Sequence, residues 1–347
     1  MWYNIPMHFD LIIVTAANKA QAAGYRAQLK GRANFLVLPD PGDRRVGSLG
    51  ATVNALRKLE SRMRRAPSAA RPERVLICHS GGDAKRTPAY AAMGKAFVPM
   101  PDARPLLDHI VEAMERLPDA PGVTVCCGDV IPRLDYAKVR FTPSGVTGVA
   151  YPDGPWQARR HGVYVVAASG TTSGKPLPVE NFLQKPQVRR GRHLIDTGIL
   201  RFDWDTAARM RKLPMAGDIY EEFPRLLLGG FAPFSVSVVP DCTFFHIGSS
   251  RELLKLLGTQ RRLVDGVQAP IVSLAGDNLV TNVPYDYGEI TLGKGECLTS
   301  LPLGKDEWYH LKYRIEDTFK EDGLWDLHGL SDKMKRVNHA RLLKLRK

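Results

Sequence analysis

The stretch that decides the fold runs from Val75 to Pro101 and reads VLICHSGGDAKRTPAYAAMGKAFVPMP. It opens with four apolar residues, a length typical of a buried parallel strand. The chain then breaks at Gly81-Gly82, and four charged residues follow: Asp83, Lys85, Arg86 and Lys95. A glycine loop after a strand lets backbone N–H groups approach an anion, and nearby cations supply charge for phosphate oxygens. Taken alone, the stretch fits a phosphate-binding loop or an ordinary turn with solvated charges.

Composition indicates a globular protein without a membrane span. The chain has 347 residues, 44% hydrophobic and 24% charged, and no apolar run of the roughly 18 residues that a span requires. The start, MWYNIPMHFDLIIV, lacks the basic region and cleavage site of a secretory signal. Five cysteines, an odd number without C-x-x-C spacing, suggest buried thiols in a reducing compartment. We therefore expect a cytoplasmic protein that has no membrane partner.

The formal charge of +13 predicts attraction to polyanions: nucleoside triphosphates, phosphorylated sugars or nucleic acid. Nucleic acid is not expected as the partner, because no aromatic residues interleave the basic clusters and no known binding module is recognisable. The most basic piece, SDKMKRVNHARLLKLRK at 331–347, predicts a helix capped by Ser331. We interpret it as a solvated helix rather than a dedicated binding arm.

Apolar strand-like runs alternate with helical periodicity over most of the chain, which predicts an α/β fold with a mainly parallel, Rossmann-like sheet and helices on both faces. Strands are expected at 11–14, 35–38, 75–78, 163–168 and 243–247. From about residue 269 short apolar pieces alternate with glycine, asparagine and aspartate, which indicates a small β-rich appendage resembling a β-helix. We therefore predict an α/β domain at 1–265 and, at 266–347, a short β-rich domain with a basic C-terminal helix.

Two further places are typical of ligand contacts. In DPGDRRVGSLGATVNAL (40–56), Gly47 and Gly50 bracket a predicted second loop that includes Ser48 and Thr52. In VTVCCGDVIPRLD, a buried strand ends at Gly128-Asp129, and ligands of open α/β sheets bind at the carboxyl ends of strands. Asp129 is the best candidate for a magnesium ligand, since Mg²⁺ prefers hard carboxylate oxygens. A turn or cap aspartate is the alternative.

Several enzyme classes lack their motifs. The chain has no GxGxxG after its first strand, no GxxxxGK[ST], no HExxH and no GxSxG. Nine other segments, in order, resemble the pyrophosphorylase half of the fucokinase/GDP-fucose pyrophosphorylase family. Besides the 40–56 and 79–101 stretches, they include FDLIIVTAANKAQAAGY, CCGDV, FLQKP, DTGILRF, GDIYEEF, FFHIGSSREL and AGDNLV.

The resemblance implies a nucleotidyltransferase α/β domain followed by a β-helical domain. It also implies a reaction in which a nucleoside triphosphate, GTP in the first instance, and a sugar 1-phosphate give a nucleotide sugar and pyrophosphate with Mg²⁺. A phosphate monoester is largely a dianion at neutral pH, so the nucleophile needs no general base. Catalysis is then mostly positioning and electrostatic stabilisation.

The candidate residues follow from this chemistry and from the resemblance. Arg86 and Lys95 are assigned to catalysis at the β- and γ-phosphates. The nucleotide is assigned to the two glycine loops, with Gly47, Ser48, Gly50, Thr52, Gly81, Gly82 and Asp83. The sugar phosphate is assigned to Lys185, Asp196 and His246, and the metal to Asp129.

The sequence departs from the family pattern in two ways. The chain is too short for the sugar kinase of the bifunctional members, so we do not expect it to phosphorylate the free sugar. A D-x-G segment of related enzymes reads His246-Ile247-Gly248 here, and Mg²⁺ favours oxygen over imidazole. The nucleotide base, the sugar and the oligomeric state stay open, a homo-oligomer being compatible with the sequence. A catalytically silent nucleotide-sugar-binding protein is the alternative function.

Overall fold

The computed structural model describes residues 8–65, 67, 71–167, 174–256 and 261–346. The strands of this part of the chain, numbered in order, are β1 Leu11–Ala16, β2 Phe35–Pro39, β3 Arg74–His79, β4 Gly122–Cys127, β5 Val130–Leu134, β6 Val146–Asp153, β7 Gly162–Val166, β8 Leu177–Gln184, β9 His193–Phe202, β10 Phe234–Val238, β11 Cys242–His246, β12 Arg262–Asp265, β13 Ile271–Leu274, β14 Asn278–Thr281, β15 Ile290–Leu292, β16 Glu296–Leu303 and β17 Glu307–Arg314.

The α-helices of the same described ranges are α1 Lys19–Gln28, α2 Gly47–Arg65, α3 Leu106–Met114, α4 Pro155–Ala158, α5 Trp204–Met210, α6 Glu222–Leu228, α7 Ser250–Leu256, α8 Leu324–Leu327, α9 Leu330–Arg336 and α10 His339–Lys344. The five strands predicted from the sequence all occur, within a few residues of their expected bounds. Residues 168–173, which include the end of the predicted strand at 163–168, lie outside the described residues.

The main sheet has nine strands in the order β2-β1-β3-β4-β9-β6-β10-β8-β7. Strands β1, β3 and β4 run parallel, with Val75 opposite both Leu11 and Val123. These strands are connected through helices α1, α2 and α3, which supply the long crossovers that parallel pairing requires. Their carboxyl ends therefore lie along one edge of the sheet, as ligand binding in α/β folds requires.

The prediction of a mainly parallel sheet is wrong for the second half, which is mixed. Strand β9 pairs antiparallel with β4 and with β6, and β8 pairs antiparallel with β7 and β10. A further antiparallel pairing of β7 with β9 closes β9, β6, β10, β8 and β7 into a five-stranded ring. The connection from β7 to β8 contains no helix in the described residues, and these two strands pair directly as antiparallel neighbours rather than through a parallel crossover.

An extensive apolar cluster of the described residues lies between one face of this sheet and helices α2, α5 and α6. Helix α2 contributes an apolar stripe, in which Val53, Leu56 and Leu59 are at most 2% exposed. Phe223 from α6 and Phe202 from β9 are fully buried against each other, their ring centroids 6.4 Å apart. Burying each such side chain contributes about 1.5–3 kcal/mol, so this cluster fixes α2 on the sheet.

Strands β12 to β17 form two small sheets. Strands β12, β14 and β16 pair parallel in sequence order, and β13 pairs parallel with β15, so alternate strands share a sheet. Strand β17 adds antiparallel to β16 over eight residue pairs. A small core fills this region, with Val280, Ile290 and Leu298 fully or almost fully buried. The predicted β-rich character of this region is thus present from β12 onward.

The basic stretch at 331–347 is two short helices rather than one. Helix α9 ends at Arg336, and α10 begins after Asn338, whose side-chain oxygen caps it by accepting from Arg341 N. Ser331 lies inside α9, so the predicted cap is wrong; Gly329 precedes the helix instead. The stretch is also not simply solvated, because His339 and Leu342 are buried.

The contacts group the chain into two compact units. Unit 1 comprises residues 1–15, 32–79 and 110–244, and unit 2 comprises 16–31, 80–109 and 245–347. These units interleave along the chain, and the division into domains at residue 265 stays a prediction. None of the helices in the described part of the chain combines the length and apolarity that crossing a lipid bilayer demands.

Candidate active site

The loop that follows β3, residues 80–98 and called here the central loop, is held close to the backbone after β1. A Cβ on Gly81 would lie 3.1 Å from the carbonyl carbon of Ala16, which explains why a residue without a side chain stands there. Gly82 has open space around its Cα and is exposed, as is Asp83. The two glycines are thus not equivalent: Gly81 is needed for close packing, and Gly82 leaves backbone accessible to a ligand.

Helix α1 fastens the start of the central loop. The Gln21 amide accepts from Ala17 N at 2.6 Å and donates to Gly82 O at 3.4 Å. One turn later the Tyr25 hydroxyl donates to Ser80 O at 2.9 Å. A Cβ on Gly94, which has φ +82°, would overlap the Tyr25 ring. Sequence reasoning missed both side chains; their spacing of four residues on one helix face is the signal that could have found them.

His79, the last residue of β3, is a second residue that sequence reasoning missed. Its Nε2 lies 2.9 Å from Thr52 Oγ1, and its Nδ1 lies 3.5 Å from Thr15 Oγ1. Burial lowers the pKa of His79 to about 4, so the imidazole is neutral near pH 7. Its backbone oxygen accepts from Gly128 N at 2.9 Å. His79 therefore ties the ends of β1, β3 and β4 to helix α2 without carrying charge.

The two catalytic candidates lie beside the segment that contains His246. Lys95 is half-buried, and its Nζ donates to Gly248 O at 3.3 Å. The backbone oxygen of Arg86 accepts from Ser250 N at 2.9 Å. The Arg86 guanidinium is 46% exposed and forms only a loose ion pair, its Nε lying 3.9 Å from Glu321 Oε1. Both cations are thus anchored locally, and Arg86 in particular is accessible to an anionic ligand.

His246 pairs with a carboxylate of its own segment. Its Nδ1 lies 3.7 Å from Glu252 Oε2. Gly248 sits beneath this pair, where a Cβ would overlap the His246 ring. The structure thus brings Lys95 and the His246–Gly248 segment together, whereas the role of His246 toward the sugar phosphate stays a prediction.

The predicted second glycine loop is the beginning of a helix. Gly47, Ser48, Gly50 and Thr52 all belong to α2. A Cβ on Gly47, whose φ is +73°, would overlap Gly217 O, and one on Gly50 would lie 2.8 Å from Ala216 N. Ser48 Oγ accepts from Ile219 N at 2.8 Å.

These small residues allow the start of α2 to pack against the backbone of residues 215–219. Hydrophobic periodicity in the sequence does not indicate this contact. Thr52 is fully buried and bonds Ser48 O and His79. This packing explains the four residues without a ligand, and their contact with a nucleotide stays a prediction.

Asp129 and Asp196 lie near the same buried thiol in unit 1. Asp129 occupies the tight turn between β4 and β5, as the sequence predicted, and is partly exposed. Asp196 on β9 is 7% exposed. The pKa of Cys127 is raised, first by burial and then by the charges of Asp129 and Asp196. Both carboxylates therefore act on one small region at the carboxyl end of β4.

The Asp196 side chain is already bonded within the protein. Its Oδ1 accepts from Tyr164 Oη and from Gly198 N, each at 3.1 Å. Burial raises the Asp196 pKa to about 6, although these hydrogen bonds lower it. Tyr220 completes the surroundings by donating to Gly198 O at 3.0 Å. These bonds give Asp196 a structural role, and a direct contact with a sugar phosphate stays a prediction.

Lys185 lies at the end of β8 with its side chain exposed. Its φ of +48° is unusual for a residue with a side chain, and its N–H bonds His161 O at 3.1 Å. This turn directs the chain into the basic loop that contains Arg189, Arg190 and Arg192. The Lys185 side chain is therefore accessible from solvent, and its contact with a sugar phosphate stays a prediction.

The comparisons with known proteins agree with the resemblance. The family model described as the fucose pyrophosphorylase domain matches residues 70–219. The match covers fewer than half of the residues of the chain. Eight of the candidate residues fall inside the matched residues, namely Gly81, Gly82, Asp83, Arg86, Lys95, Asp129, Lys185 and Asp196, whereas Gly47, Ser48, Gly50, Thr52 and His246 fall outside them.

The chain is 32% identical over 243 residues to the bifunctional fucokinase/GDP-fucose pyrophosphorylase of Arabidopsis thaliana, covering 55% of this chain and 23% of the relative. It is 28% identical over 200 residues to the fucose-1-phosphate guanylyltransferase of Mus musculus, covering 52% of this chain and 33% of the relative. The chain thus matches a third or less of the length of these relatives. A solved structure of HddC from Yersinia pseudotuberculosis aligns with 14% identity and a TM-score of 0.40 over 72% of this chain and 77% of that chain.

Proposed function

We propose that the chain is a sugar-1-phosphate guanylyltransferase, which makes a GDP-sugar and pyrophosphate from GTP and the 1-phosphate of fucose or a similar deoxysugar or heptose. The observation that carries the proposal is the match of residues 70–219 to the family model described as the fucose pyrophosphorylase domain. The names of the relatives, which specify guanylyl transfer, support GTP as the nucleotide. The cations of the central loop supply the charge that such a reaction needs.

In the proposed reaction a phosphate oxygen of the sugar 1-phosphate attacks the α-phosphorus of GTP. The bond between that phosphorus and the oxygen bridging to the β-phosphorus breaks, and both bonding electrons leave with pyrophosphate. No proton has to be removed from the nucleophile, because the second pKa of a phosphate monoester is about 6. The chain's task is to hold several negative charges together, which fits a loop with accessible cations and no catalytic dyad.

Arg86 and Lys95 are proposed to contact the β- and γ-phosphates, where charge builds up as pyrophosphate leaves. Both come from the central loop, so one rigid segment would set their spacing. Arg86 would exchange its loose contact with Glu321, 3.9 Å away, for a phosphate oxygen, since a bidentate guanidinium–phosphate pair is stronger. Lys95 is already oriented by its bond to Gly248 O.

Mg²⁺ is proposed to bind with the substrates rather than in a protein cage. The described residues contain no group of three or more His, Cys, Asp or Glu that could hold a metal ion. Mg²⁺ usually binds through one or two carboxylates, substrate phosphates and water, and Asp129 in its exposed turn fits that pattern. The ion would neutralise phosphate charge when bound.

We also propose that β12 to β16, whose alternate strands stack in parallel, form a short β-helix.

The proposal is tested by pyrophosphate release from the purified chain, with four nucleoside triphosphates each combined with a panel of sugar 1-phosphates. We expect magnesium-dependent release with GTP and a deoxysugar 1-phosphate. Release with a different triphosphate would correct the nucleotide but keep the reaction class. If folded protein binds GDP-fucose but releases no pyrophosphate with any pair, the chain is the silent binding protein instead.

A further inference from the structure

Residues 319–346, called here the covering segment, contact the central loop at several points within unit 2. Glu321 lies 3.9 Å from Arg86, and the Lys85 ammonium lies 5.6 Å from the centre of the buried Trp325 ring. Farther along, the Arg346 guanidinium lies 5.6 Å from the centre of the Tyr90 ring. The covering segment therefore contacts both the cationic part of the loop and the helical turn that follows it.

Two side chains of the covering segment reach the glycine turn. Met334 and His339 line a small cavity of about 20 Å³ together with Gly82, Asp83 and Ala92. A cavity of this size has room for about one water molecule. The covering segment thus forms one wall of the space beside the candidate nucleotide loop.

His339 makes the most defined of these contacts. It is 8% exposed, and its Nε2 lies 3.0 Å from Ala92 O. Because a carbonyl oxygen can only accept, the Nε2–H of His339 is the donor. The Cδ2 edge of the ring rests on helix α1, where a Cβ on Gly24 would overlap it. His339 therefore contacts the helix that fastens the start of the loop and also the loop itself, between Arg86 and Lys95.

The far end of the covering segment is anchored to the small β-sheet. Arg346 pairs with Asp265 at 2.7 Å and donates to Asn282 Oδ1 at 2.9 Å. Asn338, next to His339, donates from its backbone to Pro302 O and from its side chain to Gly304 O, each at 2.8 Å. A side chain held on such a support can restrict the loop it touches, because its own movement is restricted.

We propose that His339 is a positioning residue, which fixes the central loop so that Arg86 and Lys95 meet the phosphates of the nucleotide with the correct spacing. The inference rests on the proposed function for what the two cations do, but not for the restriction of the loop. A misplacement of about 1 Å in a catalytic group can lower the rate by about a hundredfold. Loss of the Ala92 bond should consequently reduce turnover more than nucleotide affinity.

Two substitutions of similar size separate the hydrogen bond from packing. His339→Gln keeps an N–H donor that can reach Ala92 O, whereas His339→Leu fills the space without a donor. Lys344→Ala is the control, since Lys344 is exposed in the same helix. The measurements are amide hydrogen exchange over residues 84–98, the kcat and the KM for GTP, and the thermal midpoint of unfolding.

We expect His339→Leu to speed amide hydrogen exchange in the central loop by about tenfold or more, because local opening of the loop becomes easier. The same substitution should lower kcat by about tenfold to a hundredfold, with a smaller change in the KM for GTP. His339→Gln and Lys344→Ala should resemble the parent in both. Unchanged loop exchange in folded His339→Leu, or equal effects of Gln and Leu, would overturn the inference. If the parent releases no pyrophosphate at all, the proposed function fails, while the exchange experiment still decides the role of His339.

Discussion

Replacing Asp196 by Asn should change how the stability of the protein depends on pH. The Asp196 carboxyl destabilises the folded state as the pH rises, whereas an aspartate whose pKa is lowered on folding stabilises it. Burial raises the pKa of Asp196 to about 6 in the folded chain, against 3.8 for the free group. Between these values the folded state binds more protons than the unfolded state, so the carboxyl costs stability as the pH rises through this window. Each pKa unit corresponds to about 1.4 kcal/mol, so the full cost is about 3 kcal/mol.

The Asn variant removes this cost while keeping an oxygen that can accept from Tyr164 and Gly198. The variant should therefore be stabilised relative to the parent as the pH rises. The difference in unfolding free energy, Asp196→Asn minus parent, should be larger by about 2 kcal/mol at about pH 7.5 than at about pH 4.5. Urea unfolding of both proteins at the two pH values measures this difference. The comparison must be between proteins, because His79 opposes Asp196: its pKa is lowered to about 4, so it costs stability as the pH falls from 6.5.

Asp203 provides a matched control, because the effect of its substitution on stability should not change between these two pH values. It caps helix α5 by accepting from Thr206 N at 2.8 Å and also accepts from Gly145 N, and hydrogen bonds lower its pKa. Because its pKa is lowered, it is ionised at both pH values. Asparagine caps helices about as well as aspartate, so the effect of Asp203→Asn on stability should be small and the same at both pH values. A relative stability of Asp196→Asn that stays constant within about 0.5 kcal/mol would show that the Asp196 carboxyl is not desolvated as its burial implies.

Four further substitutions test the candidate site. Arg86→Ala and Lys95→Ala should each lower turnover by about two to three powers of ten while changing GTP affinity less, as steady-state kinetics would show; full activity in both would exclude the central loop as the active site. Asp129→Asn should abolish most activity, and titration with Mg²⁺ should restore part of it if the carboxylate only recruits the ion. His246→Asp should raise the KM for the sugar phosphate sharply if His246 contacts that group, whereas tighter Mg²⁺ dependence with unchanged KM would argue against the contact.

The first half of the fold could be predicted from the sequence because each strand there is a short apolar run between helical patterns. The runs at 11–14 and 75–78 became β1 and β3, and Asp129 lies at the end of β4 as expected. Strand β8, at Leu177–Gln184, alternates intermediate and exposed residues, so it carries no apolar run. This strand forms by pairing with β7 and β10. The residues of β8 alone do not indicate which strands it pairs with.

Glycine was the most misleading residue in the sequence. Gly47 and Gly50 have the spacing of a phosphate loop, yet both are explained by the close approach of α2 to residues 215–217. Gly24 and Gly248 likewise admit the rings of His339 and His246. A glycine in the sequence indicates only that another group approaches the backbone closely at that position. Whether that neighbour is a ligand or the protein's own chain depends on the tertiary fold.

The residues that hold the central loop illustrate why candidate sites inferred from sequence consist mainly of charged and glycine residues. Gln21 and Tyr25 are polar, uncharged side chains, and burial lowers the pKa of His339. The three residues are separated by up to 318 positions in the chain. Each donates a hydrogen bond to a backbone oxygen of the loop. Charge can be recognised one residue at a time, but positioning depends on distance in space. The phosphate-binding candidates could therefore be proposed from the sequence, whereas His339, which the fold brings to the loop from the far end of the chain, could not.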